Sequence, residues 1–149
     1  MRRAAFGAVL LAACTASAAE PATDAAPAAV RAVLDAQLAA RNRGDLAGFM
    51  AGYWRSPALV FCSGATVTRG WEATLARYRK RYQAEGREMG RLSFDRVEVQ
   101  PLGAAAAFAR GAFRLQMSDG QEPHGLFTLV LRRMDGAWRI VHDHTSSAE

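Results

Sequence analysis

Three ionisable residues in a row, His142-Asp143-His144, close the last apolar run of the chain. An imidazole titrates near neutral pH and can serve as base, acid or metal ligand. A carboxylate in an apolar setting can take a proton from carbon. Side chains alternate along a strand. Read as an unbroken strand, Trp138, Ile140, His142 and His144 share one face, and Arg139, Val141, Asp143 and Thr145 the other. With His124, the two histidines offer three imidazoles, the count a zinc site uses. No metal motif accompanies them, so no metal and no cofactor are expected. Asp143 and Asp95 are the candidate general bases, and Tyr53 and Tyr78 the candidate donors to a developing oxyanion. Arg110 has the small neighbours Ala107, Ala109 and Ala112, which leave room for a ligand. A buried guanidinium needs an anion. That anion is either a bound molecule or Asp95 or Glu98 on the neighbouring strand. Cys62 sits in the apolar run Leu59-Val60-Phe61-Cys62 and reads as a small core residue.

The elements that must position these groups follow from local signals. Pro27 suits a first helical turn. Val30, Val33, Leu34, Leu38 and Arg41 then keep a 3.6-residue period up to Gly44, which suits a left-handed helix end. Asp45 suits the cap of a short second helix bearing Leu46, Phe49, Met50 and Tyr53. Two short strands, Leu59–Cys62 and Thr66–Thr68, precede a third helix, with Thr68 as its expected cap and Trp71, Leu75, Tyr78 and Tyr82 on one face. The basic cluster Arg77, Arg79, Lys80 and Arg81 reads as a solvated helix end. Four long strands follow. In the first, Leu92 and Phe94 are out of phase with Val97 and Val99, the mark of a β-bulge. Asp135-Gly136 supplies the positive φ angles of a tight hairpin before the last strand. Helices first and strands afterwards imply an α+β fold with helices on one face of an antiparallel sheet.

The 149 residues suit one domain. Arg2 and Arg3, the apolar Ala4–Ala13 and the small residues Ala16-Ser17-Ala18 form a secretory signal over residues 1–18. Leu11-Ala12-Ala13-Cys14 offers the alternative of a lipoprotein signal ending before Cys14. Both readings place the chain outside the cytoplasm, as a periplasmic or secreted protein or as a membrane-anchored lipoprotein. Residues 19–26 read as a flexible lead-in and 27–147 as the folded domain. Losing Arg2 and Arg3 lowers the formal charge from +5 to +3. So small an excess excludes a nucleic-acid footprint.

Two stretches carry a family resemblance. Arg41-Asn-Arg-Gly-Asp-Leu-Ala-Gly-Phe-Met-Ala-Gly-Tyr-Trp54 resembles the first helix junction of nuclear transport factor 2-like (SnoaL-like) domains. Arg132 to Ser146 resembles the end of the calmodulin-dependent kinase II association domain and its stand-alone bacterial relatives. The resemblance implies a cone of three helices on a curved antiparallel sheet enclosing a pocket. It implies a small-molecule ligand, and it places Arg110 on a cavity arginine that holds carboxylates in the kinase domain. A second such arginine falls on Thr128 here. Tyr53, Trp54 and His142 complete the expected ligand set, with Asp143 and His144 as the catalytic candidates. His144 has the alternative of tying down the strand end, and the tryptophans that of filling the core. The leading expectation is a ligand-binding homodimer without an assigned reaction, paired through its outer sheet face. The alternative is a cofactor-independent isomerase, cyclase or hydrolase of the ketosteroid-isomerase type.

Overall fold

The computed structural model describes residues 25–85 and 87–148. The signal segment, Cys14 and most of the lead-in lie outside them. Helix α1 (Ala26–Asn42) carries Pro27 in its first turn. It ends where Gly44 takes φ +76° and donates its N–H to the Arg41 carbonyl at 2.9 Å. Helix α2 (Leu46–Met50) is capped by Asp45, whose carboxylate accepts the Gly48 N–H at 2.7 Å. Strands β1 (Val60–Ser63) and β2 (Thr66–Arg69) form a short hairpin. Helix α3 (Trp71–Arg79) runs into a π-helical turn, Lys80–Ala84. Its cap is Gly70 without a side-chain bond, and Thr68 belongs to β2 instead. Strands β3 (Arg91–Pro101), β4 (Ala106–Gln116), β5 (His124–Met134) and β6 (Ala137–Ser147) complete the chain. No helix among the described residues is long and apolar enough to cross a membrane.

The six strands form one sheet in the order β2-β1-β6-β5-β4-β3. The meander β3 to β6 is antiparallel, as its turns require, and Asp135 and Gly136 adopt φ 50° and 78° in the hairpin between β5 and β6. β1 adds to the far side of β6 in parallel, pairing Phe61 with Asp143 and Cys62 with His144. The helices cover one face, where Val30, Leu34 and Met50 meet Leu129, Leu131 and Ile140 in a single core. Asn42 fastens α1 to β3 by exchanging two hydrogen bonds with the Leu92 backbone, at 2.8 and 2.9 Å.

Two bulges decide which residues face that core. In β3 the register shifts between Asp95 and Glu98, with Arg96 at φ 51°. The shift returns Val97 and Val99 to the side of Leu92 and Phe94, so all four apolar residues lie against the helices. The second bulge lies in β6. Leu131 pairs with Ile140, but Val130 pairs with His142, so Val141 is an extra residue. Trp138 and Ile140 face the helices as expected. Beyond Val141 the phase reverses. Asp143 and Thr145 continue the inner face, while His142 and His144 turn outward. This corrects the unbroken alternation read from the sequence, and it moves the carboxylate rather than the imidazoles into the interior.

Candidate functional site

The site grows from the bulge. Asp143 pairs with Phe61 on one side and Leu129 on the other, two inner-facing apolar residues. It is 5% exposed. The Tyr53 hydroxyl donates to its Oδ2 at 2.6 Å, and the Thr145 hydroxyl to its Oδ1 at 3.0 Å. Tyr53 is placed by backbone pairing with β6. The Ile140 N–H donates to the Gly52 carbonyl at 2.9 Å, and the Trp54 N–H to the Ile140 carbonyl at 2.9 Å. Gly52 also lets α1 pack closely here, because a Cβ there would stand 2.7 Å from the Gln37 side chain. Gln37 in turn donates to the Phe49 carbonyl at 3.0 Å and locks α1 to α2.

An aromatic group lies beside this pair. Phe49 meets Tyr53 and Tyr78 edge-on, at 5.7 and 5.3 Å between ring centroids. Tyr82 stacks on Tyr78 at 6.0 Å, presented by the π-helical turn. Such turns displace one side chain relative to a regular helix and recur at functional sites. Arg41, buried at the end of α1, lies over the Tyr82 ring at 5.1 Å and near Phe49 at 5.9 Å. These groups line a cavity of about 260 Å³ between the sheet and the helices. Phe94, Phe113 and Leu115 supply apolar wall, and Arg77, Arg81 and Glu88 also line it.

The electrostatics of the cavity follow from burial. Desolvation raises the Asp143 carboxyl from 3.8 to about 6, although the Tyr53 and Thr145 hydroxyls and the neighbouring His144 favour its charged form. Burial, with Asp143 adding to it, pushes the hydroxyls of Tyr53 and Tyr78 well above the usual phenol range. Both tyrosines therefore stay protonated and can donate. The site thus couples a carboxylate that titrates near neutrality to fixed donors in an apolar wall, which is the equipment of proton transfer at carbon.

The other expected ligands are brought together, but on the outer face. Glu98, Arg110, Thr128, His144 and Cys62 form one row of paired positions across the sheet. Arg110 is exposed and donates twice to Glu98, at 2.7 and 3.0 Å. The ion-pair alternative is therefore the arrangement observed, and Arg110 does not line the cavity. His142 lies in the adjacent row with Phe108 and Val130. His124 pairs with Arg114 at the start of β5 and is exposed. Among the described residues no His, Cys, Asp or Glu cluster has the geometry of a metal site. Trp54 is half-buried beside Ile140 and outside the cavity lining, and Asp95 is exposed, bonded to the Arg96 N–H. Of the expected set, Asp143, Tyr53 and Tyr78 meet in the cavity. Arg41 was overlooked as a functional residue, although its period with Val30 and Leu34 already marked it as inward-facing.

The chain belongs to the SnoaL-like domain family, whose pattern matches residues 30–148. Among solved structures it is similar to an NTF-2 like protein of unknown function from Shewanella oneidensis MR-1. The two are 34% identical over 81% of this chain and 98% of that one, with a TM-score of 0.76. A candidate calcium/calmodulin-dependent protein kinase type II association domain from Thiobacillus denitrificans is 28% identical over 80% and 94% of the two chains, with a TM-score of 0.68. An NTF2-like protein of unknown function from Pseudomonas putida KT2440 is 23% identical over 84% and 88%, with a TM-score of 0.70. No curated protein matches the chain.

Proposed function

We propose that the protein takes a small, largely apolar molecule into the cavity and moves a proton on it, with Asp143 as the base and no cofactor. The observation that carries this reading is the buried Asp143 carboxylate in the cavity wall, bonded to Tyr53 at 2.6 Å and raised to about 6. A carbon acid beside a carbonyl fits such a site. Asp143 removes the C–H proton, the electron pair moves onto the carbonyl oxygen, and Tyr78 donates to that oxygen. Returning the proton to a different carbon isomerises the compound and leaves the enzyme unchanged. A cavity of about 260 Å³ is at the small end of ligand pockets, which suits a compact substrate.

The test is exchange of carbon-bound hydrogen for deuterium, followed by NMR, over a panel of small ketones, enones and keto acids. Catalysed exchange by the parent protein that disappears in Asp143→Asn supports the reading. Exchange at the rate of buffer alone across the panel would sink it.

A second reading keeps the cavity as a binding site within a homodimer. Leu126 is 58% exposed on the outer face, and Phe108 and Val130 stand half-buried beside one another there. A partner covering this face would hide them. Sedimentation as a monomer at micromolar concentration refutes the dimer. The signal-like N-terminus further supports export, either as a cleaved chain or as a lipoprotein modified at Cys14. The N-terminal mass of protein recovered from cells separates these two.

A further inference from the structure

Arg41 has no counter-ion among the described residues. It is 5% exposed, yet no carboxylate among the described residues forms an ion pair with it. Its two hydrogen bonds both leave from Nη2, to the Tyr82 hydroxyl at 3.2 Å and the Met89 carbonyl at 2.7 Å, and both acceptors are neutral. Its Nε is buried without a partner. The rings of Tyr82 and Phe49 offset part of the charge, since a guanidinium is attracted to an aromatic face. They do not replace an anion. A buried charge left unpaired is strongly destabilising, so buried charges are ordinarily paired.

The surroundings carry the same sign. Arg77 lines the cavity over the Phe61 ring and, among the described residues, is bonded only to the Thr68 hydroxyl, at 3.4 Å. Arg81 lines it over Tyr82. Neither forms an ion pair among the described residues. Against these three guanidiniums the lining holds two carboxylates, Asp143 and Glu88. Glu88 is occupied by the Ser118 N–H and hydroxyl at 2.7 to 3.2 Å. The rest of the wall is largely aromatic and aliphatic.

We infer that the cavity takes an apolar molecule bearing a carboxylate, and that this carboxylate docks on Arg41 while the remainder of the molecule reaches the Asp143–Tyr53 pair. The inference rests on the proton-transfer reading only for what happens at Asp143. Anion docking at Arg41 stands by itself. Guanidinium is suited to this task because it holds a carboxylate through several parallel N–H donors. Arg41 selects and orients the substrate, and Asp143 acts on it.

The test measures binding to the parent chain by calorimetry and thermal shift. The probes are phenylacetate and hexanoate, each compared with its uncharged amide. The acids are expected to bind and stabilise the protein, and the amides to bind about ten- to a hundredfold more weakly. Arg41→Met should bind acid and amide alike. It should also melt no lower than the parent without ligand, since methionine fills the space without a charge to desolvate. Asp143→Asn should keep the preference for acids.

Equal binding of acid and amide by the parent overturns the inference, and so does an absence of any shift with the acids. A ligand-free Arg41→Met that melts several degrees below the parent assigns Arg41 to holding Met89 and Tyr82, and overturns it too. Arg41→Lys supplies a second comparison of acid with amide, with weaker discrimination expected from a single ammonium. Failure of the proton-transfer reading is visible separately. In that case acids bind through Arg41, and no compound exchanges hydrogen at Asp143.

Discussion

The two faces of one sheet hold two similar sets of residues under opposite conditions. On the outer face Arg110 meets Glu98 in water, beside Thr128 and His144. On the inner face, among the described residues, Arg41 is buried without a carboxylate bonded to it, and Asp143 is buried without a cation bonded to it. The outer pair is close and geometrically good, yet screening leaves it little energy. The inner charges are poorly solvated, so each strongly favours whatever satisfies it. For Asp143 that is a proton, and for Arg41 an anion. Residue types alone do not distinguish a surface ion pair from a site. Burial without a bonded counter-ion is what sets the inner groups apart.

The sharpest way to break this contrast is to neutralise one group on each face. On any compound the protein turns over, Asp143→Asn is expected to lower kcat by about 10²- to 10⁴-fold, and His144→Ala to leave it within a few-fold. Equal losses from both in a steady-state assay would erase the distinction between the faces.

Stability against pH gives the next largest effect. The folded Asp143 carboxyl titrates near 6, above its ordinary 3.8. Between those values the folded chain holds its proton more firmly than the unfolded chain. The stabilising contribution is therefore complete below about 3.8 and is lost as pH rises through about 6. At pH 8 the buried charge opposes folding by about 3 kcal/mol. Asp143→Asn should accordingly melt above the parent at pH 8, and this gain should shrink towards pH 4. A gain independent of pH places the titration elsewhere.

A smaller effect sharpens the role of Tyr53. Its hydroxyl donates to Asp143 and favours the charged carboxylate. Tyr53→Phe should move the acidic limb of the rate profile upward by about one pH unit. An unchanged profile in stopped assays from pH 5 to 8 would make the bond inconsequential. The least effect is expected outside. Arg110→Ala should change stability by less than about 1 kcal/mol in chemical denaturation and leave ligand binding alone. A large change would give the outer row a role that its exposure denies it.

Much of the architecture was legible because its signals are local. Asp45 caps α2 through its own side chain, and Asp135-Gly136 turns the last hairpin through its own φ angles. The bulge in β3 showed as a phase change between Phe94 and Val97, since apolar residues on both sides of it had to reach one core. The bulge at Val141 left no such trace. Ile140 and Val141 are both apolar, and the polar run after them fits either phase. His142 and His144 were placed on the face of Trp138 and Ile140 and turn outward as a result, whereas Arg110 and Thr128, set in the cavity by the family resemblance, pair with each other on the outer face in an unbroken β4–β5 register. The parallel pairing of β1 with β6 was equally unreadable, because it joins residues some eighty positions apart.

By itself, then, the sequence determined which segments are helix or strand and the order of layers, and it narrowed the candidate bases to Asp143, Asp95 and His144. Those properties reside in neighbouring residues and in the period of their apolar side chains. Only the tertiary structure decided that Asp143 faces the cavity, that Tyr53 reaches it, and that Arg41 lies buried without a counter-ion among the described residues. Register is shared between two strands, and burial between every element packed around a point, so neither can be read from one stretch of chain.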